Sequence, residues 1–258
     1  MNKKLILQIG NILGYIGTVI VNMLANIIPI GGRNTGELSD LYPNLFVPAG
    51  LTFSIWGVIY FLFALFTIYQ ARDIFKSEKV DMPFLDQISY GFIIASAANI
   101  SWIFFWHYEF VLFSLIVMIV LFFSLLFIYL RLDIGKTEVS RNEKLLVHVP
   151  FSVYIGWITV ATVANVTAVL VDAGVASFGP LAEFLTVFVI AVVVIITTLM
   201  LWTRKDVAYS LVVVWASVGI VIKQLTQNLL IAVSALIAAI IIFIEILYIG
   251  YIYYKEKD

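Results

Sequence analysis

Residues 110–130, FVLFSLIVMIVLFFSLLFIYL, run for 21 positions without a charged side chain. A helix of about 20 mostly apolar residues spans the hydrocarbon of a bilayer. No water-facing surface of a soluble domain can be made from such a stretch, because all sides of the helix would be apolar. Working outward, comparable runs recur on both sides, separated by short clusters of charge. The candidate spans are 8–30, 49–70, 87–106, 110–130, 146–170, 180–202, 207–222 and 229–254. The seventh is the shortest, with only 16 residues between Asp206 and Lys223. The reading is an all-α polytopic membrane protein of eight helices.

Composition points the same way. The 258 residues are 63% hydrophobic and 12% charged, with a mean hydropathy of +1.07. Soluble domains carry about 45–50% apolar and about 25% charged residues. The net charge of -1 leaves no basic stripe for nucleic acid. The absence of cysteine excludes disulfides, thiolate metal sites and cysteine nucleophiles. Two histidines, His107 and His148, are too few for an all-histidine metal site, so no metal site and no catalytic residue is assigned. The N-terminal apolar stretch continues without a small-residue cleavage site and reads as an uncleaved first helix.

Charge also orients the chain. Eight spans with the N-terminus inside place 13 of the 15 Lys and Arg residues on the inner side, leaving only Arg33 and Lys223 outside. This is the positive-inside pattern. It predicts a multi-pass protein of the cell membrane with both termini cytoplasmic. The longest outer loop, 31–48, carries Gly31, Gly32, Pro43 and Pro48 and is suited to shaping a mouth. The inner loops at 71–86 and 131–145 are of mixed charge and read as solvated. No clear internal repeat is present, which weakens a transporter built from two matched halves.

Within a membrane the polar side chains are the informative ones. On the first helix Asn11, Tyr15, Thr18, Asn22 and Asn26 follow at spacings of four, three, four and four, which sets them on one face. Gly10, Gly14 and Gly17 form an adjacent strip for close helix contact. Thr52, Trp56 and Tyr60 share a face of the second helix. Ser96, Asn99, Trp102 and Trp106 form a stripe on the third, and Tyr154, Trp157, Ala161 and Asn165 one on the fifth. Each asparagine alone is accounted for by interhelical hydrogen bonding, worth roughly 0.6–2 kcal/mol. Trp102 and Trp106 alone fit an interfacial belt. Together the faces could line a cavity of flat rings and a few amides, the chemistry of a site for a planar apolar ligand.

Three motifs in order carry a resemblance. Pro48-Ala49-Gly50-Leu51-Thr52-Phe53-Ser54-Ile55-Trp56 with Tyr60, then Asn99, Trp102 and Phe105, then Tyr154, Trp157, Ala161 and Asn165. With these the chain resembles the TspO/MBR family, the tryptophan-rich sensory or translocator proteins. The resemblance covers roughly residues 1–171 and implies a five-helix bundle that binds porphyrins or other hydrophobic ligands, sterols included, between its helices. It implies Trp56, Asn99, Trp102, Tyr154, Trp157, Ala161 and Asn165 as pocket positions, to which the polar faces add Tyr60, Asn22 and Asn26. Porphyrin or haem would be a ligand, not an obligatory cofactor; the lipid bilayer and a homodimer are the remaining partners considered. Pro48-Ala49 stands where the family has a double proline, and Val153, with Pro150 nearby, replaces a proline beside Tyr154. Residues 172–258 then form an extension of about three helices beyond the five.

Among intramembrane charges, Glu245 is a candidate proton relay. Glu183, three residues after Pro180, fits a helix N-terminus equally well. His107 falls in a short outer turn, where solvation competes with haem ligation. Lys223, first charge of an outer loop, is poorly placed for a retinal Schiff base. The leading function is a membrane ligand-binding or translocator-type protein. The alternatives are a proton-coupled transporter of a small solute through Glu245 and a membrane enzyme, for which no hydrolytic constellation exists.

Overall fold

The computed structural model describes residues 3–28 and 30–255. Lys257, counted in the charge asymmetry, and Pro29, in the first candidate span, lie outside the described residues. Among the described residues eight long helices are present: α1 (Lys3–Ile27), α2 (Ile55–Gln70), α3 (Gly91–His107), α4 (Val111–Arg131), α5 (Val149–Asp172), α6 (Pro180–Arg204), α7 (Val207–Gln224) and α8 (Leu229–Lys255). The described residues contain no strand. Seven of the helices, counting Gly50–Gln70 as one rod with α2, are long and apolar enough to cross a membrane. The eighth, α3, is apolar but only 17 residues long. The short span is therefore the third rather than the seventh, since α7 reaches 18 residues. The reason is local: Ser89, at φ 49°, breaks the chain between the Pro83–Ile88 helix and α3.

The helix ends are set by local chemistry. Asn34 caps Thr35–Ser39 by accepting from the amides of Gly36 and Glu37, and Glu37 answers on the Asn34 amide. This is a reciprocal capping box. Pro180 stands in the first turn of α6, where its missing N–H costs nothing. Lys205 ends α6 in the left-handed region, and Asp206 then caps α7 through the Tyr209 amide at 3.0 Å. That turn makes α6 and α7 an antiparallel pair.

In the bundle α1 packs on α2 and α3, α3 on α4, α4 on α5, and α5 on α7; α8 closes on α6 and α7. Gly10, Gly14 and Gly17 make the close contact expected of them. A Cβ on Gly10 or Gly14 would stand 2.4 Å from Ile93 or 2.8 Å from Ser96 of α3. Large apolar side chains such as Leu13, Phe61, Phe123, Ile195 and Ile240 are exposed on the outside. That perimeter suits lipid and not water. The even number of antiparallel helices brings Lys3 and Lys255 to one face of the bundle, called here the termini face; the loop 31–54 lies on the far face.

The last three helices do not stand apart. Asp206, at the start of α7, is buried on the termini face and accepts from Tyr129 of α4 and Ser152 of α5, each at 2.8 Å. Toward the far face α7 lies against the loop after α1, donating from Trp215 Nε1 to the Thr52 carbonyl at 3.0 Å. Gly219 accepts from the Ala49 amide at 3.0 Å. A Cβ at Gly219 would come within 2.0 Å of Thr52 Oγ1, so only glycine admits this approach.

Two expectations about loops change. The 71–86 loop is not uniformly solvated: Asp73 is fully buried, held by Lys4, by Gln8 Nε2 at 2.8 Å and by the Val80 amide at 2.8 Å. His107 is not in an exposed turn. It is the last residue of α3, buried, with Nδ1 2.9 Å from the Ile103 carbonyl. The chain after α1 folds down on it, Gly31 passing so close that a Cβ there would lie 2.9 Å from the His107 carbonyl oxygen.

Candidate functional site

Trp56 is the centre of an aromatic cluster. It enters from the first turn of α2, just after the 3-10 turn Gly50–Ser54. Its ring lies 5.7 Å from Tyr60 and nearly parallel to it, 6.1 Å from Trp102, 5.9 Å from Tyr154 and 6.2 Å from Trp157. Trp102 stacks on Trp106 at 6.0 Å, and Phe53 meets Trp157 edge-on at 5.7 Å. Aromatic pairs at these separations attract beyond their buried area. The cluster therefore fills most of its own space.

What remains is a small cavity of about 30 Å³ lined by Trp56, Trp102, Trp106, Trp157, Phe53, Pro48, Ser39, Val160, Ala161, Ala164 and Asn165. Its amide is engaged at both ends. Asn165 Oδ1 accepts from Trp102 Nε1 at 3.0 Å, and its Nδ2 donates to Ser114 Oγ at 2.9 Å. Trp157 differs: its Nε1 is buried and has no partner among the described residues. The roof comes from the loop 31–54. Asn44 shapes it, Oδ1 accepting from the amides of Phe46 and Val47 at 3.0 and 2.9 Å. Lys223 of α7 reaches Asp40 of the same loop at 2.8 Å.

A larger cleft of about 640 Å³ lies beside this cavity, between α1, α2 and the loop. Asn22, Asn26, Tyr60, Met23, Glu37 and Asp40 line it, and it shares Phe53 and Trp56 with the inner cavity. Phe53 and Trp56 thus line both the small cavity and the cleft. Below it runs an amide column: Asn22 Nδ2 donates to Asn99 Oδ1 at 2.8 Å, and Asn99 Nδ2 to Tyr154 OH at 3.0 Å.

The structure brings Trp56, Trp102, Trp157, Ala161 and Asn165 onto one cavity wall and Asn22, Asn26 and Tyr60 onto the adjoining cleft. Asn99 and Tyr154 support them from beneath. Trp106 is buried in the cavity with Trp102, so neither belongs to an interfacial belt. The helical spacing of four between them was the available signal. Ser39, Pro48 and Phe53 escape a reading by helix faces because a loop delivers them. Glu245 lies apart from this site, half-buried on α8, accepting from Thr198 of α6 at 2.9 Å. Glu183 sits in the first turn of α6 and accepts from Asn228 at 2.7 Å. No group of three or more His, Cys, Asp or Glu that could hold a metal occurs among the described residues.

A bundle of apolar helices around a small tryptophan-lined cavity, with an amide in its wall and a larger cleft beside it, defines a polytopic all-α membrane protein. The family model for TSPO-like protein matches residues 8–248, and the chain belongs to that family. The match runs through α6 and α7 into α8, beyond the first five helices. Neither curated proteins nor solved structures yield a match.

Proposed function

We propose that this protein binds a flat, largely apolar molecule of porphyrin type between α1, α2, α3 and α5, taking it in from the cleft beside Trp56. The observation that carries the reading is the Trp157 indole N–H, a buried donor left without a partner on the wall of an otherwise satisfied cavity. A buried donor that finds no acceptor costs roughly 1–3 kcal/mol. A ligand carbonyl, carboxylate or ring nitrogen would meet it. About 30 Å³ admits water but no ring, so binding swings Trp56 aside and joins the cavity to the cleft. The cleft, at about 640 Å³, falls within the range of sites for small organic ligands. Flat rings then stack on flat rings while the Asn165–Trp102 and Asn99–Tyr154 bonds keep the walls in place. The ligand is cargo or signal rather than an obligatory cofactor. The charge asymmetry supports the orientation that puts the termini face in the cytoplasm and the cleft on the outer side.

Quenching of tryptophan fluorescence by protoporphyrin IX in detergent tests this. Trp157→Phe keeps the ring and removes the donor, and is expected to weaken binding about tenfold, the worth of one hydrogen bond of about 1.4 kcal/mol. Trp56→Phe is expected to reduce both affinity and quenching. Wild-type affinity and quenching in both variants would mean that the ligand binds elsewhere.

A further inference from the structure

The cleft of about 640 Å³ combines flat rings with negative charge. Phe53, Trp56 and Tyr60 form its aromatic wall, the Trp56 and Tyr60 rings lying 20° from parallel. Glu37 and Asp40 line it from the loop 31–54, and no Lys, Arg or His is among its lining residues. The two cations of the far face are engaged elsewhere: Arg33 pairs with Glu109 at 3.5 Å, and Lys223 reaches Asp40 at 2.8 Å without lining the cleft. Glu37 is exposed and has no ion-pair partner among the described residues. One of its carboxylate oxygens accepts from the Asn34 amide at 2.9 Å, which leaves the other free. Asp172, at the end of α5, and Glu183, in the first turn of α6, stand on the same face. A cleft lined by one sign of charge concentrates ligands of the opposite sign.

The rings of the cleft carry no cation of the protein's own. Guanidinium groups do lie over rings at the termini face, Arg72 on Tyr69, Arg131 on Phe127 and Arg204 on Tyr129, but none of these touches the cleft. A cation within about 6 Å of a ring centroid is attracted by the quadrupole of the ring, most strongly over Trp.

Glycine keeps part of the cleft surface bare. Gly57 follows Trp56 in the first turn of α2, and Gly50 opens the 3-10 turn before it. Both line the cleft, and a Cβ on either would meet nothing within 4 Å. Neither has a positive φ, so neither packing nor backbone conformation calls for glycine there. The missing side chains leave room for a flat molecule against the backbone. Thr35, on the same wall, is 3% exposed, and its hydroxyl has no partner among the described residues.

We propose that the cleft selects a planar aromatic cation, its ring laid on Tyr60, Trp56 and Phe53 and its charge held by Glu37. Asp40 adds to the attraction as far as its pairing with Lys223 allows. This rests on ring binding through the cleft as proposed above: the molecule that swings Trp56 aside carries positive charge. An anionic ring of the same size meets Glu37 and Asp40 on the way in and is disfavoured.

Three acridines of one ring size test this with the full chain in non-ionic detergent at neutral pH. They are 9-aminoacridine, a cation, acridine, which is neutral, and acridine-9-carboxylate, an anion, each followed by quenching of tryptophan fluorescence. At low ionic strength the cation is expected to bind at least about tenfold tighter than the anion, with acridine between them. At about 1 M salt, where the Debye length is about 3 Å, that ratio is expected to shrink. Glu37→Gln keeps the capping box, since glutamine serves at that position, and is expected to lower the cation-to-anion ratio about threefold. Lys223→Gln uncovers Asp40 and is expected to raise it. Gly57→Leu puts a side chain into the cleft and is expected to weaken all three alike.

Equal affinity for cation and anion overturns the proposal, as does an unchanged ratio in Glu37→Gln. Undiminished binding of all three by Gly57→Leu overturns it too, because the rings then sit elsewhere, and so does an absence of quenching by every acridine. Protoporphyrin IX in the same preparation separates the two levels. If its quenching still depends on Trp56 and Trp157, ring binding stands without charge selection; if that dependence is lost as well, both readings fall.

Discussion

The wall of the aromatic cavity and the seam between α1 and α2 use the same materials, amides and hydroxyls among apolar helices, and treat them in opposite ways. In the cavity Asn165 is held from both ends, by Trp102 and by Ser114, and Asn99 by Asn22 and Tyr154. In the seam Asn11 is fully buried with neither amide atom engaged. The difference follows from the partners in reach. Tryptophan and tyrosine are long, rigid and carry a polar tip, so they reach an amide across a helix interface. Asn11 instead has no protein donor or acceptor within hydrogen-bond distance among the described residues. An amide held from both ends fixes a wall. The two regions thus differ in how far the protein itself meets their polar groups.

Four substitutions or conditions would break or sharpen that contrast, the largest effect first. Asn165→Leu strands the Trp102 indole N–H in an apolar wall and removes a donor from Ser114, whose hydroxyl keeps the Val111 carbonyl, and the expected loss is about 1–3 kcal/mol of stability. A fall in melting temperature in detergent micelles would register it, and an unchanged value would show that the amide is not what holds the wall. Next comes Gly219→Val, which drives a side chain into Thr52 and Pro48. Overpacking of this kind costs about 1–3 kcal/mol. Because the strain falls on the cavity roof, faster protoporphyrin IX association should accompany it, measurable by stopped-flow quenching.

Smaller still is the effect of acid on the Asp73 end. Burial works to raise its carboxyl, but hydrogen bonds from Lys4, Gln8 and the Val80 amide overcome this and hold it at about 2. A carboxyl depressed from 3.8 in this way contributes stability that is present above that value and lost as pH falls toward 2. In Asp73→Asn that segment of the stability–pH curve should flatten, while the rest keeps its shape. The smallest expected change is that of Asn11→Leu on stability. Because it removes an amide that the protein leaves without a partner, the variant is expected to keep or raise the melting temperature, and a large fall would show that Asn11 is held after all.

The contrast also bears on the last three helices. Taken as an addition to a five-helix bundle they have no evident purpose, yet α7 touches the site's roof at Ala49, Thr52 and Asp40. The TSPO-like match through residue 248 places them within the family's extent. Their contribution is to hold the loop 31–54 over the cavity.

The amino-acid sequence by itself determined the class: uninterrupted apolar runs leave only membrane helices, because a bilayer accepts no other backbone that is apolar on all sides. It also marked most of the pocket, since Trp56, Trp102, Trp157, Ala161 and Asn165 repeat at helical spacing and so share faces. Tertiary structure decided what spacing cannot express. Whether Trp102 and Trp106 meet lipid or each other depends on which helix lies opposite. Whether Asp73 is solvated or buried depends on where Lys4 and Gln8 of another helix come to rest. Whether Asn11 finds a partner depends on the register of α1 against α2. A sequence records which side chains share a helix face, and hydrogen bonds between helices are settled only by the docking of those faces.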